Sequence, residues 1–234
     1  MRNRLIYVIL FLAIIIAVLY SPLTAYLLKD FLTSRLEKAI DMSIVFGKTH
    51  FEFPARLTVL DVKAIDKNGH ALTAERAYFQ LDPSKIIKAN VVLNCDLQNV
   101  SLSSSLSGSL NGLLKPLGVP SQDSYKFENI TAIITMKRNS FEVHGLNAAG
   151  PDFKLLGEFS RFKDKKVDYN MEFKINKQVL GADGGNKNQF LVDEDPQGWY
   201  SVKLSVKGDP RKPSSVSFST GGIKLEIQST GGKK

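Results

Sequence analysis

Strict alternation of apolar and polar residues recurs along most of this chain. It is clearest in VDYNMEFKI, residues 167–175, where apolar residues occupy every odd position and polar residues every even one. Side chains of a β-strand point alternately to opposite faces, so this pattern predicts a strand with one apolar and one polar face. Because an apolar face has to be covered, the sequence raises the question of what covers it.

The same alternation predicts a mainly β fold, with about ten strands in an antiparallel sheet after residue 42 and little further helix. The predicted strands lie at residues 43–53 with a kink at Gly47, 56–66, 71–82, 91–105, 125–139, 140–150, 153–162, 167–175, 200–208, 216–220 and 223–227.

The apolar phase slips by one residue in three of these strands. The slips lie between Val59 and Leu60, between Ala74 and Ala77, and between Leu97 and Val100. An extra residue that shifts the phase is the sequence signature of a β-bulge, which bends and twists a sheet. The pattern therefore predicts a curved sheet. Its apolar face could be covered by a second sheet, as in a sandwich, or by the same sheet curled on itself.

The first residues of the chain form a continuous apolar stretch from Leu5 to Leu28, interrupted only by one serine, one proline and one threonine. As a helix, this stretch rises about 36 Å, enough to cross a hydrocarbon core of ~30 Å with some tilt. It predicts a membrane anchor over residues 1–28, with Ile14 and Leu19 among its apolar residues. A cleaved signal peptide is the competing interpretation, although the apolar stretch is long for one.

Arg2 and Arg4 precede this apolar stretch, and no acidic residue lies there. Basic residues beside a membrane span remain on the cytoplasmic side. We therefore expect a single span with a cytoplasmic N-terminus, and the bulk of the chain outside the cytoplasm.

Residues 29–42 continue with helical periodicity. Charged residues occupy one face of the predicted helix, and the other face holds apolar residues, namely Phe31, Leu32, Leu36, Ala39 and Ile40. The pattern predicts an amphipathic helix that either lies on the membrane surface or caps one end of the sheet.

Further along the chain, residues 106–124 are rich in Gly, Ser, Pro and Leu. They predict a flexible connection between an N-terminal β region at 43–105 and a C-terminal one at 125–230.

The titratable residues give no sign of catalysis. No histidine pairs with another at metal-ligand spacing, and no serine, histidine and acid cluster carries a recognisable signature. We expect neither enzyme activity nor a metal or cofactor. The lone cysteine, Cys95, lies on the apolar phase of its strand, which predicts a small buried residue. The net charge of +8 is spread along the chain, which is compatible with anionic lipid headgroups. Because no basic run alternates with aromatic residues, we expect no nucleic acid partner.

The order of elements in residues 1–105 resembles the N-terminal region of AsmA-like proteins of Gram-negative bacteria. This order is a span, an amphipathic helix, a strand, a hairpin with the pattern D-x-x-G-x-x-L-x-A-E (66–75), a strand ending in Asp82-Pro83, a short helix and a further strand. Residues 200–228, with a G-x-x-x-x-P turn, are similar to the end of such domains. TamB-type and chorein-type proteins share this architecture.

The resemblance implies a curved antiparallel sheet that forms an open, β-taco-like groove, anchored in the inner membrane with its bulk in the periplasm. It implies that the groove holds or passes phospholipid or lipopolysaccharide-like molecules in envelope or outer-membrane biogenesis. The residues expected to line the groove are Ile134, Leu155, Phe159, Tyr169, Met171, Phe173, Val202 and Leu204.

A second hypothesis is a structural or assembly component, similar to type II secretion system protein N, that pairs its sheet edges with other envelope proteins. The two hypotheses differ in whether side chains fill the space over the apolar face. Small residues on the apolar phase, Ala74, Ala132 and Gly157, leave space and favour the groove.

Overall fold

The computed structural model describes residues 22–40, 42–52, 56–67, 69, 71–82, 90–103, 123–164, 166–180, 195–209, 212–220 and 223–228. The predicted anchor positions Leu5, Ile14 and Leu19, the flanking Arg2 and Arg4, and residues 106–122 of the predicted connection lie outside these ranges.

The described residues form a helix followed by a series of β-strands. The helix is α1 (Pro22–Ile40), and the strands are β1 (Ser43–Phe46), β2 (Thr49–Glu52), β3 (Arg56–Ile65), β4 (Ala71–Leu81), β5 (Val91–Ser103), β6 (Ser124–Met136), β7 (Ser140–Ala149), β8 (Phe153–Phe162), β9 (Val167–Asn176), β10 (Trp199–Asp209), β11 (Lys212–Thr220) and β12 (Ile223–Gln228). A single 3-10 turn, Lys177–Leu180, follows β9.

All these strands belong to one antiparallel sheet in which each strand from β3 onward pairs with the next along the chain. β1 and β2 both pair with β3 at one edge, and β12 lies at the other. Among the described residues the two edges do not pair with each other, so the sheet is open. The predicted mainly β fold with an antiparallel sheet is therefore confirmed, and a two-sheet sandwich is wrong.

The strands on either side of the predicted connection pair directly. Twelve residue pairs join β5 to β6, from Val91–Met136 to Ser103–Ser124. The sheet therefore runs without a break through both predicted β regions. The expected kink at Gly47 is also confirmed, because β1 ends at Phe46 and β2 begins at Thr49.

The sheet has a transverse crease, which we define as the row Asp61, Glu75, Asn99 and Glu128. The phase slips predicted in β4 and β5 contain Glu75 and Asn99, the slip predicted in β3 lies just before Asp61, and none was predicted in β6. Each of these residues is passed over in the pairing of its strand, and they stand opposite one another across β3, β4, β5 and β6. Asp61 and Asn99 have φ of 57° and 52°. Since both partners of a pair skip one residue, the register is kept. The expected one-sided bulges are therefore wrong for these strands, although the slips are real.

True bulges occur one strand further along. The register shifts between β6 and β7 and again between β7 and β8, where Gly145 lies in the extra segment with φ of 57°. Gly157, on β8, has φ of 150°. A Cβ atom there would lie 2.3 Å from the carbonyl oxygen of Asn170 on β9. Close approach of two backbones, in addition to the dihedral angle, requires glycine at this position.

Helix α1 packs beside the β1–β3 edge of the sheet. Leu32 and Leu36 are buried and join the same apolar cluster as Phe46 and Leu57. The backbone N–H of Ile44 donates to the Glu37 carboxylate at 2.8 Å, which ties the C-terminal half of α1 to β1. Within the described part of the chain, no helix is both long and apolar enough to cross a bilayer.

The buried face of α1 differs in part from the predicted one. Leu32 and Leu36 face the sheet as expected, but Phe31 is 40% exposed. Tyr26 and Leu27, one turn earlier, are 60% and 58% exposed. A helix packed on a sheet buries a narrow stripe, and Phe31 lies beside that stripe with its ring under the Arg35 guanidinium at 5.6 Å.

The clash at Gly157 gives a stability prediction. Gly145→Ala places a side chain at a positive φ with nothing within 4 Å, and we expect a loss of about 1 kcal/mol in the free energy of unfolding. Gly157→Ala adds the clash with the β9 backbone, and we expect a loss of about 3 kcal/mol. Urea unfolding of the two variants measures the difference. Equal losses would show that β8 and β9 do not approach closely at Gly157.

The predicted burial of Cys95 is confirmed, and it has a chemical consequence. Burial, with a smaller contribution from Asp96, raises the pKa of this thiol to about 12. At pH ~8 an ordinary exposed thiol is partly ionised, whereas Cys95 stays neutral and shielded. We expect Ellman's reagent to modify Cys95 only after unfolding in urea. The control is Lys203→Cys in a Cys95→Ala background, an exposed thiol that should react at once. Equal rates in the native state would contradict the packing around Cys95.

Candidate functional site

The register of β6 to β11 aligns the inward side chains in transverse rows on the apolar face. Row 1 holds Ile134, Val143, Phe159, Tyr169, Val206 and Val216. Row 2 holds Leu146, Gly157, Met171, Leu204 and Phe218. Row 3 holds Ile130, Ala148, Leu155, Phe173 and Val202.

All eight residues predicted to line a groove fall in these rows and therefore on one face of the sheet. Ile134, Phe159 and Tyr169 are in row 1, and Met171 and Leu204 are in row 2. The remaining predicted lining residues, Leu155, Phe173 and Val202, are in row 3.

The rows differ in their exposure to solvent. Every residue of rows 1 and 2 is half-buried, from β6 to β11. In row 3 most residues are buried, and Phe173 and Val202 are only 8% and 6% exposed. Phe173 and Val202 therefore belong to the packed part of the face, which corrects their predicted place in a groove lining. We call rows 1 and 2 the open rows.

Aromatic packing fills the face beyond row 3. Phe153 lies between Tyr125 and Phe173, with ring centroids 5.0 Å and 5.5 Å apart. Phe153, Tyr125 and Ile175 are almost wholly buried. In row 1, by contrast, the stacked pair Phe159–Tyr169, at 4.8 Å, remains half-buried. Burial raises the pKa of the Tyr169 hydroxyl, and the nearby charge of Arg161 opposes this rise.

The first part of the sheet is packed without such an opening. Most inward residues of β3, β4 and β5 are buried, including Leu57, Val59, Ala74 and Leu93. Ala74 therefore leaves no open space. Gly157 is small because its backbone approaches β9, not because a ligand needs room there. Ala74 and Gly157 therefore do not indicate a ligand cavity. The exposed apolar surface of the open rows is the better indication of a binding site.

At the other end, row 1 borders a row that contains a charge. Met136, Phe141, Arg161 and Val167 are paired in sequence across β6 to β9, and all except Arg161 are buried. Arg161 thus occupies an inward position at the end of the apolar face. Its place could be foreseen from residues 153–162, FKLLGEFSRF, in which Arg161 continues the apolar phase.

A cleft of about 350 Å³ opens at this end, between α1 and the turns after β6 and β8. We call it the basic cleft. Its apolar walls are Met136, Phe141 and Phe162. Its cationic residues are Arg35, Lys38, Lys137, Arg138, Arg161 and Lys163, and no acidic residue lines it. Sequence reasoning missed this cleft because its charges come from three separate segments.

The outer face of the same strands is polar and cross-linked by charge pairs. Lys207 lies 3.3 Å from Asp168, Lys174 lies 3.5 Å from Asp195, and the Ser201 hydroxyl donates to Glu172 at 2.6 Å. A sheet with one polar and one apolar face matches the alternation in the sequence. Within the described ranges, no group of three or more His, Cys, Asp or Glu side chains could hold a metal ion.

No protein-family model, curated protein or solved structure matches this chain.

Two phenylalanines of β8 test the difference between the packed and open parts of the face. Phe153→Ala removes a ring that is 1% exposed, and we expect a loss of about 4 kcal/mol in the free energy of unfolding. Phe159→Ala removes a half-exposed ring, and we expect about half that loss, because less apolar surface returns to water. Urea unfolding measures both. Equal losses would mean that row 1 is as tightly packed as row 3.

Proposed function

We propose that this protein is an AsmA-like, membrane-anchored protein that holds or passes lipid along the open rows of its sheet. In this proposal the anchor lies in the inner membrane, the sheet lies in the periplasm, and the protein acts in envelope or outer-membrane biogenesis. It is a carrier or conduit and not an enzyme.

The observation that carries the proposal is the exposure of rows 1 and 2. Eleven inward positions, continuous across six strands, are all half-buried, whereas most other inward residues of the sheet are buried. At ~4.8 Å per strand these rows extend about 24 Å. Contiguous apolar surface of this kind marks a binding site rather than ordinary solvent-facing surface.

Acyl chains suit such a surface physically. Each methylene transferred from water to an apolar surface contributes about 0.8 kcal/mol. The open rows hold aliphatic and aromatic side chains, with Tyr169 the only hydroxyl-bearing side chain among them. An acyl chain held by such contacts keeps its affinity while it slides along the open rows, because few directional bonds fix its position.

The membrane part of the proposal is supported by the start of α1. Tyr26 and Leu27 fall within the stretch predicted to form the anchor, and both project apolar surface into solvent. Leu32 and Leu36, one to two turns later, pack on the sheet. A helix that leaves a membrane and packs on a sheet would be surrounded first by lipid and then by the side chains of the sheet.

The alternative, an assembly component that binds protein by strand addition, is supported by the sheet edge. β12 (Ile223–Gln228) pairs only with β11 among the described strands. Its other side is therefore a possible site for a partner strand. The half-exposed rows favour the lipid proposal, because strand addition makes no use of them.

Site-specific photo-crosslinking in living cells tests the proposal on the full-length chain. Met171, in row 2, is replaced by benzoylphenylalanine, and the matched control carries the same probe at Asn170, the next residue, on the outer face. We expect lipid adducts at position 171 and none at 170, read by mass spectrometry of the digested protein.

Lipid adducts of equal yield at both positions would contradict the proposal, because they would report the membrane around the protein and not its inner face. Adducts with protein alone at position 171 would also contradict it. A third probe at exposed Lys224 on β12 reads the edge, and protein adducts there favour strand addition.

A further inference from the structure

We infer that the basic cleft binds the phosphate group of an anionic phospholipid whose acyl chains lie on the open rows. This inference rests on the proposed function and specifies its ligand class. It assigns a headgroup site to one end of the apolar face.

The charges of the cleft converge from separate parts of the fold. Arg35 and Lys38 come from α1, Arg138 from the turn after β6, and Arg161 and Lys163 from the end of β8. Their convergence is a product of tertiary packing and not of a basic run in the sequence. Arginine and lysine together supply the donors that phosphate oxygens prefer.

Part of the positive charge is already balanced. Lys137 donates to both carboxylate oxygens of Glu142, at 2.8 Å and 2.7 Å. Partial burial opposes ionisation of Glu142, but hydrogen bonds from Lys137, Ser140 and His144 outweigh it and lower the pKa of this carboxyl. Lys137 is therefore engaged in a pair that is ionised at neutral pH.

Other cations of the cleft are not balanced in this way. Among the described residues, no carboxylate pairs with Lys38, Arg138 or Lys163. Asp164, which follows Lys163, pairs instead with Lys166 at 2.7 Å. Like charges gathered without counterions repel one another, so an anion in the cleft would relieve that repulsion.

The walls of the cleft are joined by backbone contacts. The N–H of Lys163 donates to the carbonyl of Asn139 at 2.8 Å, which links the turn after β8 to the turn after β6. The N–H of Lys137 donates to the carbonyl of Ser140 at 2.9 Å, which closes the turn after β6. The cations of both turns are therefore presented from a backbone that is already held in place, which reduces the entropic cost of binding.

The cleft is continuous with the open rows. Met136 and Phe141 line the cleft, and they lie one inward position away from Ile134 and Val143 of row 1 on β6 and β7. Arg161 stands in the same relation to Phe159 on β8. A ligand with its anionic group near Arg161 would thus meet apolar side chains within one pair of residues, about 7 Å along each strand. Free phosphate or a nucleotide would make no use of this continuity.

The test uses the full-length chain with benzoylphenylalanine at Met171, reconstituted in vesicles of phosphatidylcholine mixed with phosphatidylglycerol. The readout is the ratio of phosphatidylglycerol to phosphatidylcholine adducts, divided by the ratio of the two lipids in the vesicle. We expect about tenfold enrichment of the anionic lipid, as one or two charge-assisted hydrogen bonds would give.

Reversal of two cleft charges, Arg138→Glu with Lys163→Glu, should remove the enrichment and leave phosphatidylcholine adducts at Met171 unchanged. The matched control, Lys126→Glu with Lys203→Glu, makes the same change of net charge at two exposed outer-face positions and should keep the enrichment. Loss of enrichment in both pairs would overturn the inference, because net charge alone would then explain it.

The remaining outcomes separate the inference from the proposed function. Adducts in proportion to vesicle composition would overturn the headgroup site and leave the lipid-binding proposal in place. No lipid adduct at Met171 would overturn both. Loss of enrichment on addition of inorganic phosphate, at concentrations comparable to the lipid, would identify a free-phosphate site. Anionic lipid adducts with a probe at Phe162 but none at Met171 would mean contact with the membrane surface only. Either result overturns the inference.

Discussion

The structure depends on one constraint, which is that a single sheet presents one apolar face with only one described helix against it. α1 packs beside β1 to β3, and the inward residues of β3 to β5 are largely buried. From β6 onward, most of row 3 is buried, and aromatic rings pack together around Phe153. The two rows between this packed region and the basic cleft are left half-exposed, so the candidate site is the part of the face that the fold leaves partly open.

The irregularities of the sheet serve the same requirement. At the crease, Asp61 and Asn99 adopt left-handed backbone conformations that are costly for residues other than glycine. Polar side chains partly offset this cost on the outer face, where the Asn99 amide donates to Glu75 at 2.6 Å. The crease shifts the alternation on four neighbouring strands at once, so the apolar residues on both sides of it face inward. Without the shift, Val62 and Val100 would face the polar side.

Most strands could be predicted from the sequence because alternation is a local signal. VDYNMEFKI contains its own evidence for a strand. The phase slips predicted in β4 and β5 contain the crease residues Glu75 and Asn99, whereas the slip in β3 was placed one residue too early and none was predicted in β6. The type of irregularity could not be predicted, because a bulge and a crease give the same slip in one strand and differ only in what the partner does. The role of Gly157 could not be predicted either, since the close backbone approach that requires glycine involves Asn170, a residue on another strand.

The candidate site was predictable only in part, for a related reason. The alternation placed all eight predicted lining residues on one face, but it could not show which of them the fold buries. Phe173 and Val202 have the same pattern as Met171 and Leu204, but both belong to the buried apolar cluster, in which Phe173 stacks on Phe153. Arg161 carried a visible signal as a charged residue on an apolar phase. Arg35 and Lys38 carried none, because their place depends on where α1 packs.

One end of the open rows is apolar and the other is cationic, so the site favours one orientation of a bound ligand. At the end near row 3, aromatic and aliphatic side chains such as Phe153 and Tyr125 pack against one another and are almost wholly buried. The opposite end has an inward arginine and a cleft lined by six cationic residues and by no acidic one. A ligand that is apolar at both ends would gain no binding free energy from the cationic end. An amphiphile with one anionic end matches it, because its charged group stays at the solvent-accessible cleft while its apolar part covers the half-exposed rows, and neither part has to be buried in an unfavourable environment.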